Sequence, residues 1–548
     1  MSESHDARPH ASAVLDTAHL GDIQGAFGTI SLGDIGERRS WSKKLLTLLA
    51  ILGPGLIVMV GDNDAGGVAT YSQAGQVYGL SLLWTLPLLI PVLIVNQEMV
   101  VRLGAVTGVG HARLIKERFG KFWAAFSVAD LFLLNFLTIA TEFIGVSLAL
   151  RYFGVSEYVS VPIAGIGLIA ITASGSFRLW ERFMMLFVVA NFLVIPLVIF
   201  AHPHVGAVVH GFTVPGVRGG VTSTAVLLII ALVGTTVAPW QLFFQQSNIV
   251  DKRITPRWIN YERADTVIGS LVTVFAATLI VVTTAFAFSG SGKGDRSFTD
   301  ALGVAHGLAA RLGHGSGAIY AVILLNASII GAAAVTLATS YAFGDIFALN
   351  HSLHRSFADA KQFYALFTGL VVLAMIIVLI PHAPLGLITT AVQALAGILL
   401  PSATIFLLLL CNDPEVLGPW VNRPWLNVLA SIIIAILFAL SLVLMVTTVF
   451  AHIDITALLF VLAGILGAAG LASVVVALRV RSRQGRSMLA AVAPDLPKDT
   501  WRMPPLALLK PAPPSKARRI VLAVVAGYLW VGVALLLVKA IDLGLGHK

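Results

Sequence analysis

The sequence predicts an all-α polytopic membrane protein built from two inverted five-helix repeats, with extra transmembrane helices at its carboxyl end. Three observations carry this. Of 548 residues, 57% are hydrophobic and 11% charged, whereas soluble domains carry about 25% charge. Apolar runs of roughly the 20 residues that cross a bilayer recur along the chain. The first and sixth runs are broken by residues foreign to bilayer depth, and breaks five spans apart mark an inverted repeat.

Residues 1–43 are polar and hold His5, His10 and His19 among acids and glycines, which reads as a disordered cytoplasmic tail and not a cleavable signal. Spans at 45–77, 80–101, 122–151, 158–174 and 182–202 form a first five-helix repeat over 44–202. An external loop over 203–222 follows. His204 and His210 lie in it with His202 at its edge, and their grouping is read as incidental. A second five-helix repeat over 223–411 holds spans at 223–251, 264–289, 317–347, 362–381 and 386–411. Additional transmembrane helices over 412–478 place spans at 426–450 and 455–478. A basic, Pro-rich cytoplasmic linker over 479–517 leads to a last helix in 518–548, spanning 519–541, so the count is thirteen.

The net charge of +9 and pI of about 9.7 do not signal nucleic acid, because the cations sit in alternate loops. Arg113, Lys116, Arg118 and Lys121, then Arg178 and Arg182, then Lys252, Arg253 and Arg257, then Arg355 and Lys361 mark the cytoplasmic side. The amino terminus is therefore expected inside. Cys411 is the sole cysteine, which excludes an internal disulfide and a thiolate cluster. No cofactor and no protein partner is evident; membrane lipids are expected partners.

Asp62-Asn63-Asp64-Ala65-Gly66-Gly67 interrupts the first span. An acid at that depth costs at least a few kcal/mol unless it faces a cavity, a partner or a cation, and carboxylates beside backbone carbonyls freed by Gly66-Gly67 suit a hard divalent ion. Asp62 has two open readings: an acceptor for the hydrated ion, or a break residue bonded to nearby amides. In the sixth span Gly234-Thr235-Thr236-Val237-Ala238-Pro239-Trp240-Gln241 places a proline in mid-membrane, and proline frees a carbonyl one turn earlier. The substrate is expected between the two breaks. Glu98 and Asp130 also fall within spans; Glu98 is expected to pair with Arg102 at i+4.

These motifs resemble the Nramp (natural resistance-associated macrophage protein) divalent metal transporters over about residues 45–450. Gly53-Pro54-Gly55, the break at Asp64, Gln73-Ala74-Gly75, Arg102-Leu103-Gly104-Ala105-Val106-Thr107-Gly108, Ala238-Pro239, Asp265-Thr266 and Gln393 ahead of Pro401 carry the likeness. The resemblance implies a LeuT-like fold, a multi-pass protein of a bacterial plasma membrane, and a carrier, not an enzyme. It also implies that the Gly61 and Thr235 carbonyls turn toward the ion or its waters and that Gln393 approaches from span ten.

Departures from the family pattern set the finer expectation. Gly67 stands where the family carries a metal-binding Asn, and Ala238 where it carries a Met. Trp240 replaces a His of the proton path, and Glu142 is retained while Ile139 replaces its acidic partner. No arginine occurs in span nine. Without thioether the site favours harder ions, so the expectation is import of partly hydrated Mg²⁺ by alternating access without a proton, as in the Nramp-related magnesium transporters. Two charges crossing 100 mV gain roughly 4.6 kcal/mol, sufficient to drive uncoupled entry. The alternatives are a proton-coupled Mn²⁺ or Fe²⁺ importer and a transporter-derived ion-binding receptor or scaffold without flux.

Overall fold

A computed structural model describes residues 16–289, 297–380, 385–449, parts of 457–467, 498–512 and 515–544. Most of the span expected at 455–478 and the first half of the basic linker lie outside the described residues.

Helix α1 (Trp41–Ile51) starts where the Ser40 hydroxyl accepts the Lys43 amide at 3.3 Å. It does not open the first span as the apolar run from residue 45 suggests. The chain turns by 53° before α2 (Pro54–Gly61), because Gly53 lies so close to Glu181 that a Cβ there would sit 2.1 Å from the carboxylate. Trp41, Leu45 and Leu46 stay exposed. The first span is therefore α2 plus α3 (Ala65–Tyr78), two halves joined through Asp62, Asn63 and Asp64. Gly66-Gly67, expected in the break itself, lie in the first turn of α3.

The repeat continues with α4 (Thr85–Thr107), a connecting α5 (His111–Phe119), α6 (Lys121–Tyr152), α7 (Glu157–Thr172) and the pair α8 (Phe177–Ala190) and α9 (Val194–Phe200). After α10 (Val205–Thr213) the second repeat runs α11 (Ser223–Thr236), α12 (Pro239–Asp251), α13 (Ile259–Ala287), α14 (Ala301–Leu312), α15 (His314–Phe347), α16 (Lys361–Val378) and α17 (Leu385–Cys411). Here α14 connects spans seven and eight as α5 connects spans two and three. Both repeats thus open on a broken helix and carry a short helix after their second span. The short α18 (Pro414–Leu417), α19 (Pro424–Val449) and α20 (Lys516–Gly544) complete the described helices. Among the described residues, nine helical spans have the length and apolarity to cross a membrane, against thirteen expected. The halves of the first span are each too short, and α7, apolar over 16 residues, falls just below.

Packing turns both breaks inward. The α2 and α3 halves lie along α13, α11 lies along α17, α12 along α4, and α6 forms its longest contact with α15. Where α2 begins, Asp265 of α13 accepts the amides of Gly53, Gly55 and Leu56 at 2.8–3.2 Å. Buried Lys252 donates to the Ile51 and Leu52 carbonyls and pairs with Glu181 at 2.7 Å.

The amino-terminal segment is folded from residue 16, contrary to the disordered tail its composition suggests. Strands β1 (Ile23–Gly25) and β2 (Gly28–Ile30) form an antiparallel hairpin. Its Ala26 amide donates to Glu181 and its Ala26 carbonyl accepts from Arg182 at 2.9 Å. Ahead of it, buried Asp16 holds Arg355 through both oxygens, and His19 lies 3.4 Å from Asp251. Residues 498–512 cover the same end: the Met503 amide donates to Val106 O and the Ala512 amide to Arg118 O.

Candidate functional site

Three residues separate the halves of the first broken span, Asp62-Asn63-Asp64, and two those of the second, Val237-Ala238, with Asp64 and Ala238 as the caps of the second halves. At the first break the Ala65 amide, which in an unbroken helix would reach the Gly61 carbonyl, donates to Glu142 Oε2 at 3.1 Å. At the second, the residue four after Thr235 is Pro239, which has no N–H to give. The carbonyls of Gly61 and Thr235 thus both lose their helical donor. They lie at helix C-termini, whose partial negative charge favours a cation.

Asp64 caps α3 by accepting the Gly67 amide on Oδ1 at 2.6 Å. Its other neighbours come from α6 and α15. A Cβ at Gly331 would lie 2.6 Å from Glu142 Oε2 and 2.9 Å from the Asp64 Cβ, so the two acids meet over a glycine. Gly331 was not foreseen, and nothing near it in the sequence marks it. Glu142 Oε1 is buried without a hydrogen-bond partner. Ile139, one turn away, is fully buried.

Gly67 brings the two breaks together: a Cβ there would stand 2.7 Å from the Asp62 carbonyl oxygen and 3.1 Å from Thr235 Oγ1. Gln393 of α17 lies across Gly66, where a Cβ would fall 1.7 Å from its Nε2. These glycines keep the surface bare so that the breaks and span ten can approach. Both carboxylate oxygens of Asp62, Thr235 Oγ1 and Gln393 Nε2 are buried with no hydrogen-bond partner. No backbone amide donates to Asp62, and the amide that faces it is that of the Gln241 side chain. Of the neighbouring amide, Gln241 Nε2 donates to Thr236 O at 3.2 Å and its Oε1 accepts from Gln97 at 3.0 Å. Tyr71 OH and Thr236 Oγ1, 2.8 Å apart, tie α3 to α11.

Trp240 covers Gly61, its ring 3.3 Å from where a Cβ would be, and fills the space beside the first break. Ala238 adds only a methyl, and both residues are buried. Together Asp62, Asp64, Glu142, Thr235 and Gln393 are at most 2% exposed, so the arrangement is closed toward both ends. Among the described residues no group of three or more His, Cys, Asp or Glu is placed to hold a metal ion; a cation here would depend on carbonyl, hydroxyl and amide oxygens beside the carboxylates. His202, His204 and His210 are exposed and form no such group. Glu98 pairs with Arg102 at 3.0 Å, as its spacing predicts, and with Arg263 at 2.6 Å. Asp130 accepts from Ser402 at 2.9 Å.

Residues 55–447 match the family model described as natural resistance-associated macrophage protein-like. The divalent metal cation transporter MntH of Aeromonas hydrophila is 26% identical over 423 residues, covering 73% of this chain and 96% of the relative. That of Xylella fastidiosa is 28% identical over 461 residues, covering 81% and 93%. In structure, the manganese transporter of Eremococcus coleocola superposes with a TM-score of 0.60 at 20% identity, covering 82% of this chain and 99% of that one. MhsT, solved with L-phenylalanine, gives 0.51 at 14% identity over 74% of this chain and all of its own, a likeness of fold that extends to LeuT-like carriers. With the family model matched from the start of α2 to the end of α19 and both interrupted helices in place, the chain belongs to the Nramp family.

Proposed function

We propose that this chain carries a divalent metal cation across the membrane by alternating access around Asp64. The observation that supports the reading most is the buried junction of the two breaks, where Asp62, Thr235 and Glu142 present oxygen atoms without partners beside Asp64. Unpaired buried polar atoms are costly, and a cation satisfies them. The ion is Mn²⁺ or Fe²⁺ in the leading reading, which the relatives named as MntH and the manganese transporter favour; oxygen donors accept Mn²⁺ readily. A proton accompanies it in this reading, held by Glu142 against Asp64.

A second reading, Mg²⁺ entry without a proton, rests on the donor set. Gly67 and Ala238 supply neither amide nor thioether, Trp240 occupies the place of an imidazole, and α16 contains no arginine. The expectation from sequence put this reading first, and relatedness moves it to second place.

Purified protein in liposomes, with a negative-inside potential and an internal pH dye, separates the two. The leading reading expects Mn²⁺ entry that persists in excess Mg²⁺ and acidifies the lumen. Mg²⁺ entry without acidification selects the second. In either case Asp64→Ala abolishes uptake in a folded protein; retained uptake would falsify the site.

A further inference from the structure

At the end of the bundle that the loop charges assign to the cytoplasm, a groove of about 530 Å³ opens between the start of α6 and the last turns of α15. Its wall is apolar, built from Val128 and Phe132 on one side and Phe343 and Phe347 on the other. The rings of Phe132 and Phe343 lie 5.7 Å apart and those of Phe343 and Phe347 5.9 Å apart. Lys116 and Lys121 stand in the same lining. Trp123 in the first turn of α6 places this level at the boundary between hydrocarbon and headgroups, where amphipathic aromatic rings collect.

The lysines are only partly satisfied. Lys116 gives one N–H to the Ile346 carbonyl, and an ammonium carries three. Lys121 is exposed and has no ion-pair partner among the described residues. Arg113 and Glu117 face the same region and neutralise each other at 2.7 Å. The Lys116 ammonium titrates below its ordinary value through burial, with Arg113 and Lys121 adding repulsion that Glu117 only partly offsets. An uncompensated positive field therefore sits at the mouth of an apolar groove, and its volume falls within the roughly 300–1,000 Å³ of ligand sites.

We propose that this groove binds one anionic phospholipid, its phosphate between Lys116 and Lys121 and an acyl chain along Phe132, Phe343 and Phe347. Charge complementarity selects a lipid over an apolar partner helix, since a phosphate at the interface neutralises both ammonium groups while its chain stays in hydrocarbon. The inference is independent of which ion the protein carries.

Native mass spectrometry of the full chain, released from mixed phosphatidylglycerol and phosphatidylcholine, tests it. Phosphatidylglycerol should be retained over phosphatidylcholine by about 30-fold, the factor that two lysines supply at a charged surface, and Lys116→Gln with Lys121→Gln should bring the two lipids level. Lys121→Gln alone, at an exposed position, guards against a folding defect and should reduce the preference several-fold. Ala129→Trp, whose native side chain is exposed in the groove lining, should lower retention of both lipids with the lysines intact. Equal retention of both lipids by the unaltered chain, or full preference in the double lysine variant, overturns the assignment.

Discussion

Gly66 and Gly67 carry a constraint that reaches across three helices. Alanine at 67 would bring a Cβ within 2.7 Å of the Asp62 backbone oxygen, whereas at 66 it meets the end of the Gln393 side chain. Overpacking a buried site costs about 1–3 kcal/mol, with the larger value expected where backbone must move. Gly67→Ala should therefore lower the thermal midpoint of the detergent-solubilised protein more than Gly66→Ala, whose cost a rotated Gln393 relieves. Equal losses would mean that the Asp62 carbonyl is free to shift. Lys252 poses the opposite problem, since it is the cation beside buried Glu181 at 2.7 Å. Lys252→Met should destabilise by about 3–5 kcal/mol, because an unpaired buried carboxylate remains. Adding Glu181→Gln should recover much of that loss. The sequence made Asp64 legible because an acid in an apolar run has few inexpensive explanations. Gly331 stayed hidden, because what it does depends on Glu142 and Asp64, which lie far from it along the chain.

Elements with long apolar runs were the readable ones: each of the nine described spans overlaps an expected one, though those at Thr85–Thr107, Phe177–Phe200 and Pro256–Ala287 start five to eight residues from the expected position. The bend between α1 and α2 was not readable from hydropathy, which continues across Leu52-Gly53; the requirement for glycine at 53 comes from Glu181, far along the chain. The amino-terminal hairpin was equally invisible, since its polar composition resembles a solvated tail while its stability comes from partners such as Arg355, Glu181 and Arg182. Its tie to the bundle is pH-sensitive. Burial alone would raise the Asp16 carboxyl, but hydrogen bonds from Arg355 and the Ala18 amide, with the nearby His19 charge, bring it below its ordinary 3.8. A carboxyl depressed in the folded state contributes stability that is fully present above 3.8 and is lost as pH falls through the lower folded value. Hydrogen exchange should show amides of residues 16–30 protected at neutral pH and losing protection below pH 3.8, earlier than those of α6. Asp16→Asn should expose them at neutral pH. Protection unchanged by that substitution would place the anchoring in the other ties of this segment, those to Glu181, Arg182 and Arg253.

For the whole molecule, closure at both ends follows from how the two repeats meet. The breaks face each other in the middle, Tyr71 with Thr236 ties their second and first halves, and Asp265 with Lys252 fastens the start of α2 at one end. In the proposed carrier this arrangement offers no path to Asp64, so exchange would require one of these fastenings to part while the other holds. At one end α2, only eight residues long and buried along its whole length, is held at its start by the Asp265 carboxylate and the Lys252 ammonium. Cys411 is the sole cysteine and is buried, so Cys411→Ser supplies a background in which one introduced thiol reports access. Ala238→Cys, 4% exposed here, should react with a membrane-impermeant thiol reagent far more slowly than the exposed control His204→Cys, each assayed with the reagent on its accessible side. Adding Asp265→Asn should speed labelling of position 238 from the α2 end alone, because the amides of Gly53, Gly55 and Leu56 lose the charge that holds them. Faster labelling from the opposite end would show instead that Asp265 fastens the whole first span, and that the two halves of the break do not move independently.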